Sequence, residues 1–216
     1  MAMSLRNLSL GVATASFLLA GSAMAQTSQP MQSTHGSSAQ LQQWQMKGVN
    51  ARLDHTLDAQ SAHRGEAVSA RLDRSLQLAN GTNIPGGTQI WGKVEKVQAS
   101  QNGGPSSVTL RFTKAEVNNR AVPVKVTVIG AYPTSARSSY MSMGDTLPPP
   151  PQHINSKDKY MQEPGMLKHV EMKSAVQGHN SATFIDQNGN LKLSRGTYLQ
   201  LAIAARNNPS QQRSGL

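Results

Sequence analysis

The chain has 216 residues, no cysteine, and 21 Lys and Arg against 11 Asp and Glu, a formal net charge of +10. Without cysteine there is no disulfide, thiol nucleophile or thiolate metal site, so stability has to come from an apolar core. The basic excess points toward anionic partners such as nucleic acid, lipid headgroups or acidic wall polymers. Lys and Arg nevertheless form no run of three, and two Trp, four Tyr and three Phe make a poor stacking platform for single-stranded nucleic acid.

The first residues combine Arg6, an apolar run from Leu10 to Gly21 and the small-residue site Ala23-Met24-Ala25 before Gln26. This is the pattern of a secretory signal over residues 1–25, cut between Ala25 and Gln26. The apolar run is too short to span a bilayer as a helix and no later stretch is long enough, so no transmembrane segment is expected after cleavage. The expected location is periplasmic or secreted. Residues 26–46, rich in Ser, Gln and Thr, read as a flexible leader.

A β-domain is expected over 47–205, followed by a polar tail over 206–216. Apolar residues alternate with polar ones in Val49–Leu57, Val68–Leu78, Thr88–Val97, Val108–Ala115, Ala121–Ala131, Ala182–Asp186, Asn190–Leu193 and Thr197–Ala204. The words ARLDHTL (Ala51–Leu57) and ARLDRSL (Ala70–Leu76) resemble each other. They fit either a duplication or two amphipathic strands of similar pattern. Turn residues punctuate the strands: Pro85, Gly86 and Gly87, Asn118-Asn119, Asn188-Gly189, and Gly196. Asn188-Gly189 is the strongest hairpin signal, because both residue types tolerate the positive φ of a tight primed turn. About eight short strands joined this way predict an all-β fold, a small barrel or sandwich. One long irregular insertion interrupts it at 133–164, where Tyr140, Pro148, Pro149, Pro150, Pro151 and Tyr160 form a candidate docking segment.

GGTQIWGKV (Gly86–Val94) comes within one residue of a phosphate-binding loop, with Gly87 four residues before Gly92-Lys93. Such a loop needs Ser or Thr after the Lys and a helix whose first N–H groups face the phosphates. Here Val94 replaces the hydroxyl, and Ile90, Gly92 and Val94 alternate with Trp91, Lys93 and Glu95 as a strand would. A turn leading into a strand is expected, with no nucleotide. Gly92 in mid-strand marks a place where a partner approaches closely.

IPGGTQIWGKV, followed by VTLRFTKAEVNNRAVPV, resembles a pattern found in a group of uncharacterised signal-peptide-bearing bacterial proteins. More distantly it resembles the periplasmic β-domain of the conjugal-transfer and type IV secretion core-complex family. The matching residues are Ile84, Pro85, Gly87, Thr88 and Gly92, then Phe112, the Asn118-Asn119 turn and Pro123, and finally Leu193, Gly196 and Thr197. The resemblance implies a shared β-fold. It does not carry pore formation, since no long helical insertion is visible.

The chemistry-bearing residues form no local constellation. Six histidines (35, 55, 63, 153, 169 and 179) show no metal-ligand spacing. Asp54 and His55, adjacent on a strand, would point to opposite faces. Asp186–Asn190 opens like a calcium loop, but its Gly is misplaced and Thr197 stands where the bidentate Glu belongs, so no metal is expected. No cofactor and no catalytic residue is assigned. The function expected is an exported, non-catalytic β-module acting as a binding or scaffolding protein of the cell envelope, its partner an envelope protein or an acidic polymer. The alternatives are a basic module holding an acidic polymer, either wall material or extracellular nucleic acid, and an enzyme whose residues converge from separate strands.

Overall fold

A computed structural model describes residues 44–135, 149–151 and 153–206. The fold is all-β. Its strands are β1 (Lys47–Leu53), β2 (Leu57–Asp58), β3 (Ala67–Leu72), β4 (Leu76–Gln77), β5 (Asn83–Ile84), β6 (Gln89–Gln98), β7 (Ser106–Val117), β8 (Arg120–Tyr132), β9 (Lys159–Leu167), β10 (Val170–Ala175), β11 (Ala182–Asp186), β12 (Lys192–Leu193) and β13 (Tyr198–Ala205). The main sheet runs β6-β3-β1-β13-β8-β7-β11-β10-β9, and β6 also pairs with β7. That pairing closes six antiparallel strands into a barrel, which removes the exposed edges an open sheet would leave.

The alternation seen in sequence is the barrel's inside and outside. Val49, Ala51 and Leu53 of β1, Ile90 and Val94 of β6, Leu110 and Phe112 of β7, Val124 and Val126 of β8, and Leu199 and Leu201 of β13 are all buried in one cluster. At about 25 cal/mol per Å² of apolar surface removed from water, each buried Val, Leu, Ile or Phe side chain contributes about 1.5–3 kcal/mol.

The two ARLD words occupy equivalent places. Arg52 pairs with Arg71 where β1 meets β3. Around that pair, Asp54 N bonds Ser69 O while Asp73 N bonds Asn50 O. Leu53 exchanges backbone hydrogen bonds with Gly196 and Thr197, and Leu72 does the same with Gly87 and Thr88. Gly87 and Gly196 both have φ near +80° (79° and 83°), supplying the left-handed residue of the turns that lead into β6 and β13. Leu57 pairs with Leu193 as Leu76 pairs with Ile84. The two units are therefore related by a local pseudo-twofold centred on Arg52 and Arg71, as a duplication would produce.

β7 has two partners on one side. Lys114–Val117 pairs with β8, whereas Ser106–Leu110 pairs with β11. Ser181 plugs the fork where they part. Its N–H donates to Leu110 O, its carbonyl accepts from Val128 N, its hydroxyl donates to Val126 O, and that hydroxyl also accepts from Phe112 N. Beyond the fork, β11, β10 and β9 curl over the outer face of β8, and the Gln162 amide bonds both the N–H and the carbonyl of Ala131 at 2.7 and 2.6 Å.

Several boundaries differ from the sequence reading. The insertion expected over 133–164 contributes its last residues to β9, and β9 and β10 were not expected as strands. Pro164 and Gly165 mask the pattern of β9, but β9 ends the sheet, and Pro is tolerated on an edge. The expected leader stops being separate at Trp44, because Met46 is buried with Ile129, Val176, Ala202 and Ala204 in a second apolar cluster outside the barrel. Ile154 and Tyr160 pack against that cluster too. Asn188-Gly189 is not a hairpin turn. Neither residue has positive φ, β12 pairs with β2 and not with β11, and Asp186 Oδ1 accepts from Asn188 N in a local side-chain turn. The Asn118-Asn119 turn does take the primed form, at φ 49° and 59°, joining β7 to β8.

Candidate functional site

The barrel interior is filled by side chains. In a small barrel packed in this way side chains occupy the interior, and the charged residues lie on the outer surface. Among the described residues no three His, Cys, Asp or Glu converge as a metal would need, and no helix is long and apolar enough to cross a membrane.

The outer face of β6, β7 and β8 carries one cluster of charges. Lys93 pairs with Arg111, Trp91 with Lys114, and Lys114 with Pro123, which places these side chains in adjoining rows on the side opposite Leu110 and Phe112. Glu95 lies 3.3 Å from Arg111 and 3.5 Å from Lys93. Burial acts to raise its pKa, but the Arg111 hydrogen bond and the Lys93 charge outweigh burial and hold it below the usual carboxylate range. Trp91 Nε1 donates to Glu116 at 2.7 Å. Lys125, on β8 beside the fork, is 6% exposed and donates to the Gly178 carbonyl. Burial lowers its pKa to about 8, and the charges of Arg206 and Arg111 add to that effect. Arg206 reaches this place from the end of β13, where its N–H bonds Pro123 O. Arg111 Nε is buried with no hydrogen-bond partner. Sequence inspection missed this cluster because Arg111, Lys125 and Arg206 come from three separate strands. The only local sign was a Lys standing among Val residues in AVPVKVTV.

A second charged cluster surrounds the pseudo-twofold. Arg52 Nε lies 2.8 Å from Asp73, and Arg71 Nε 3.4 Å from Asp54. Asp54 also accepts from Ser69 Oγ at 2.8 Å and Gln89 Nε2 at 2.9 Å. Burial opposes its ionisation, yet those two hydrogen bonds and the Arg71 charge bring its pKa below normal. His55 makes no hydrogen bond to Asp54, so the adjacent pair is no acid-base unit. With every acid matched to a donor, this cluster reads as an outer latch between repeats.

The residues singled out from sequence fall into three groups. Ala25, Gln26, Tyr140 and Pro148 lie outside the described residues. Pro85, Gly86 and Gly87 form the turn into β6, closed by Thr88 N to Pro85 O at 3.3 Å. Lys93 and Val94 continue that strand, so no helix follows the false phosphate loop. Gly92 meets β7 closely, and Gly196 opens β13. Gly189 offers its carbonyl to Ser106 Oγ. Of the docking segment, Pro149 and Pro151 are exposed, but Pro150 is buried on Gly48, where an added Cβ would fall 2.7 Å from Pro150 Cβ. Tyr160 is half-buried beside Asp158, and burial followed by that carboxylate pushes its phenol up to about 12. These two residues serve packing. Beside them lies an open groove of about 660 Å³ lined by Trp44, Met46, Lys47, His153, Asn155 and Asp158.

Comparisons with protein-family models, with curated proteins and with solved structures found no match.

Proposed function

We propose that this chain is an exported, non-catalytic β-module that binds or scaffolds a partner in the cell envelope through the outside of its barrel. The observation that carries this reading is the filled interior, which leaves the outer faces as the recognition surface. The signal-like N-terminus supports export. The turn words whose residues resemble those of signal-peptide-bearing bacterial proteins, Ile84–Thr88 and Leu193–Thr197, lead into β6 and β13. Crosslinking followed by pull-down from the native envelope tests the reading. A specific partner captured by the intact chain is expected. Protein recovered only from the cytoplasm with Met1 still attached would refute export.

A second reading, an acidic polymer as the partner, is favoured by Lys93, Arg111, Lys114, Lys125 and Arg206 on one side of the barrel. Electrostatic polymer binding weakens steeply with added salt, whereas binding dominated by apolar contacts does not.

A further inference from the structure

We propose that the fork between β7 and β8 is an oxyanion site that takes a phosphate-type group between Lys125, Arg111 and Arg206. It deepens the reading of an outer binding surface by naming a ligand class, and it can fail while that reading stands.

The fork is built, not incidental. Ser181 satisfies the backbone groups that parting strands would leave bare, so β7 and β8 are held apart at a fixed place. Over it, Lys125 is buried with one backbone carbonyl as acceptor among the described residues, although an ammonium carries three donors. Arg111 gives Nη1 to Glu95 while its Nε–H stays buried and unused. Arg206 is exposed and pairs with no acid among the described residues. Burying an ammonium without a counter-charge costs several kcal/mol, and neighbouring cations increase that cost. Val or Thr at position 125 would fill the space on β8 at no such cost. A bound anion would supply what the fork lacks.

Charge selects the class of anion. Arg111, Lys125 and Arg206 bring three positive charges, and Glu95, which Lys93 shares, returns one negative. A single carboxylate would leave part of the excess in place. A phosphate group brings more charge and several acceptor oxygens, and a guanidinium and an ammonium together suit it. Free phosphate and the phosphodiester of a polymer share this chemistry.

The test is calorimetric titration of the full chain at fixed ionic strength, so that screening stays constant. One arm uses inorganic phosphate and the other a short glycerol phosphodiester oligomer. Saturable binding is expected, weakened at least about tenfold in both Lys125→Met and Arg206→Gln and unchanged in Lys192→Gln, a lysine elsewhere on the surface. Tighter binding of the oligomer with the same sensitivity would assign the site to a polymer, and tighter binding of free phosphate would assign it to the ion. Arg206 is exposed at a strand end, so its variant reports even if Lys125→Met fails to fold. The proposal is overturned if neither probe saturates by about 10 mM, if Arg206→Gln binds like the parent, or if Lys192→Gln weakens binding as much.

Discussion

Gly92 and Lys93 are neighbours on β6 with opposite expected sensitivities. A Cβ added to Gly92 would lie 2.4 Å from Arg111 O, 2.7 Å from Phe112 Cα and 2.8 Å from Arg111 C. All three atoms belong to the backbone of β7, so no side-chain rotation relieves the clash. The ladder is already irregular there, with register shifts between Trp91 and Gly92 and between Val94 and Lys96. To accept a methyl, β7 would have to retreat from β6 at the seam that closes the barrel. Overpacking typically costs about 1–3 kcal/mol, and a clash confined to backbone atoms belongs at the upper end. For a domain of this size about 3 kcal/mol lowers Tm by roughly 6–12 °C. Lys93, half-exposed and 3.5 Å from Glu95, should change stability by less than about 0.5 kcal/mol when replaced by Ala. Urea denaturation and thermal melts followed by circular dichroism would measure both. If Gly92→Ala unfolds with the parent's midpoint, or Lys93→Ala is the more damaging of the two, the strand account of this segment is wrong.

Gln162→Ala should cost about 1–3 kcal/mol in urea denaturation, because both polar groups of the fully buried Ala131 backbone lose their partner; a neutral result would show that β9 is dispensable to the fold. Asp54→Ala should destabilise more than Asp73→Ala. It strands Ser69 and Gln89 as well as Arg71, whereas Asp73 leaves only a half-exposed Arg52, worth about 0–1 kcal/mol; the reverse order in paired melts would contradict the assigned network. In phosphate-free buffer, stability should rise between about pH 8 and 10. There the unfolded chain keeps the Lys125 proton, with its ordinary value of 10.5, while the folded chain, at about 8, has lost it. Above pH 10 Tyr160 opposes the rise, since its folded phenol at about 12 stays protonated while the unfolded one ionises. Lys125→Met should flatten the profile below pH 10 and raise stability at pH 7; an unchanged slope would place the lysine in solvent.

The barrel strands were legible because their larger apolar residues recur at every second position, as in Val49, Ala51 and Leu53 or Leu199, Leu201 and Ile203. β8 keeps that pattern although both its faces are buried from Val124 onward, with Lys125 and Thr127 as the polar members. The outer layer was hidden for a different reason. Tyr160 of β9 packs against a modest patch around Ile129 and Val176, and β10 sends only Val170 and Met172 into the main cluster, so neither strand holds enough apolar residues to show a clear period. Asn188-Gly189 misled because turn propensity reports that the chain bends, not which strand it next joins. Ser106 Oγ accepts from Leu191 N and donates to Gly189 O, drawing the chain away from β11 before β12 meets β2. The cation cluster was invisible because it depends on how far β7 follows β8 before leaving it, a length that no single strand encodes.

The duplicated words also explain why half of a repeat can be far away in sequence. In one unit, ARLDRSL and its partner IPGGT are joined by a few residues, and β4 folds directly onto β5. In the other, ARLDHTL has to wait for LSRGT near the C-terminus, yet β2 finds β12 in the same register. Whatever lies between Asp58 and Lys192, the closing pair is fixed by the same contacts: a Leu bridge, a left-handed Gly and two backbone bonds to the Leu of ARLD. Closure of a long flexible loop costs only slowly more as the loop lengthens. The barrel could thus admit β7 to β11 and the outer layer between the halves of one unit at modest entropic cost. The fork of Ser181 lies within that intervening chain, outside both repeats. The chain between the halves therefore supplies Arg111, Lys125 and Ser181 of the proposed site, and Arg206 joins them from the end of β13.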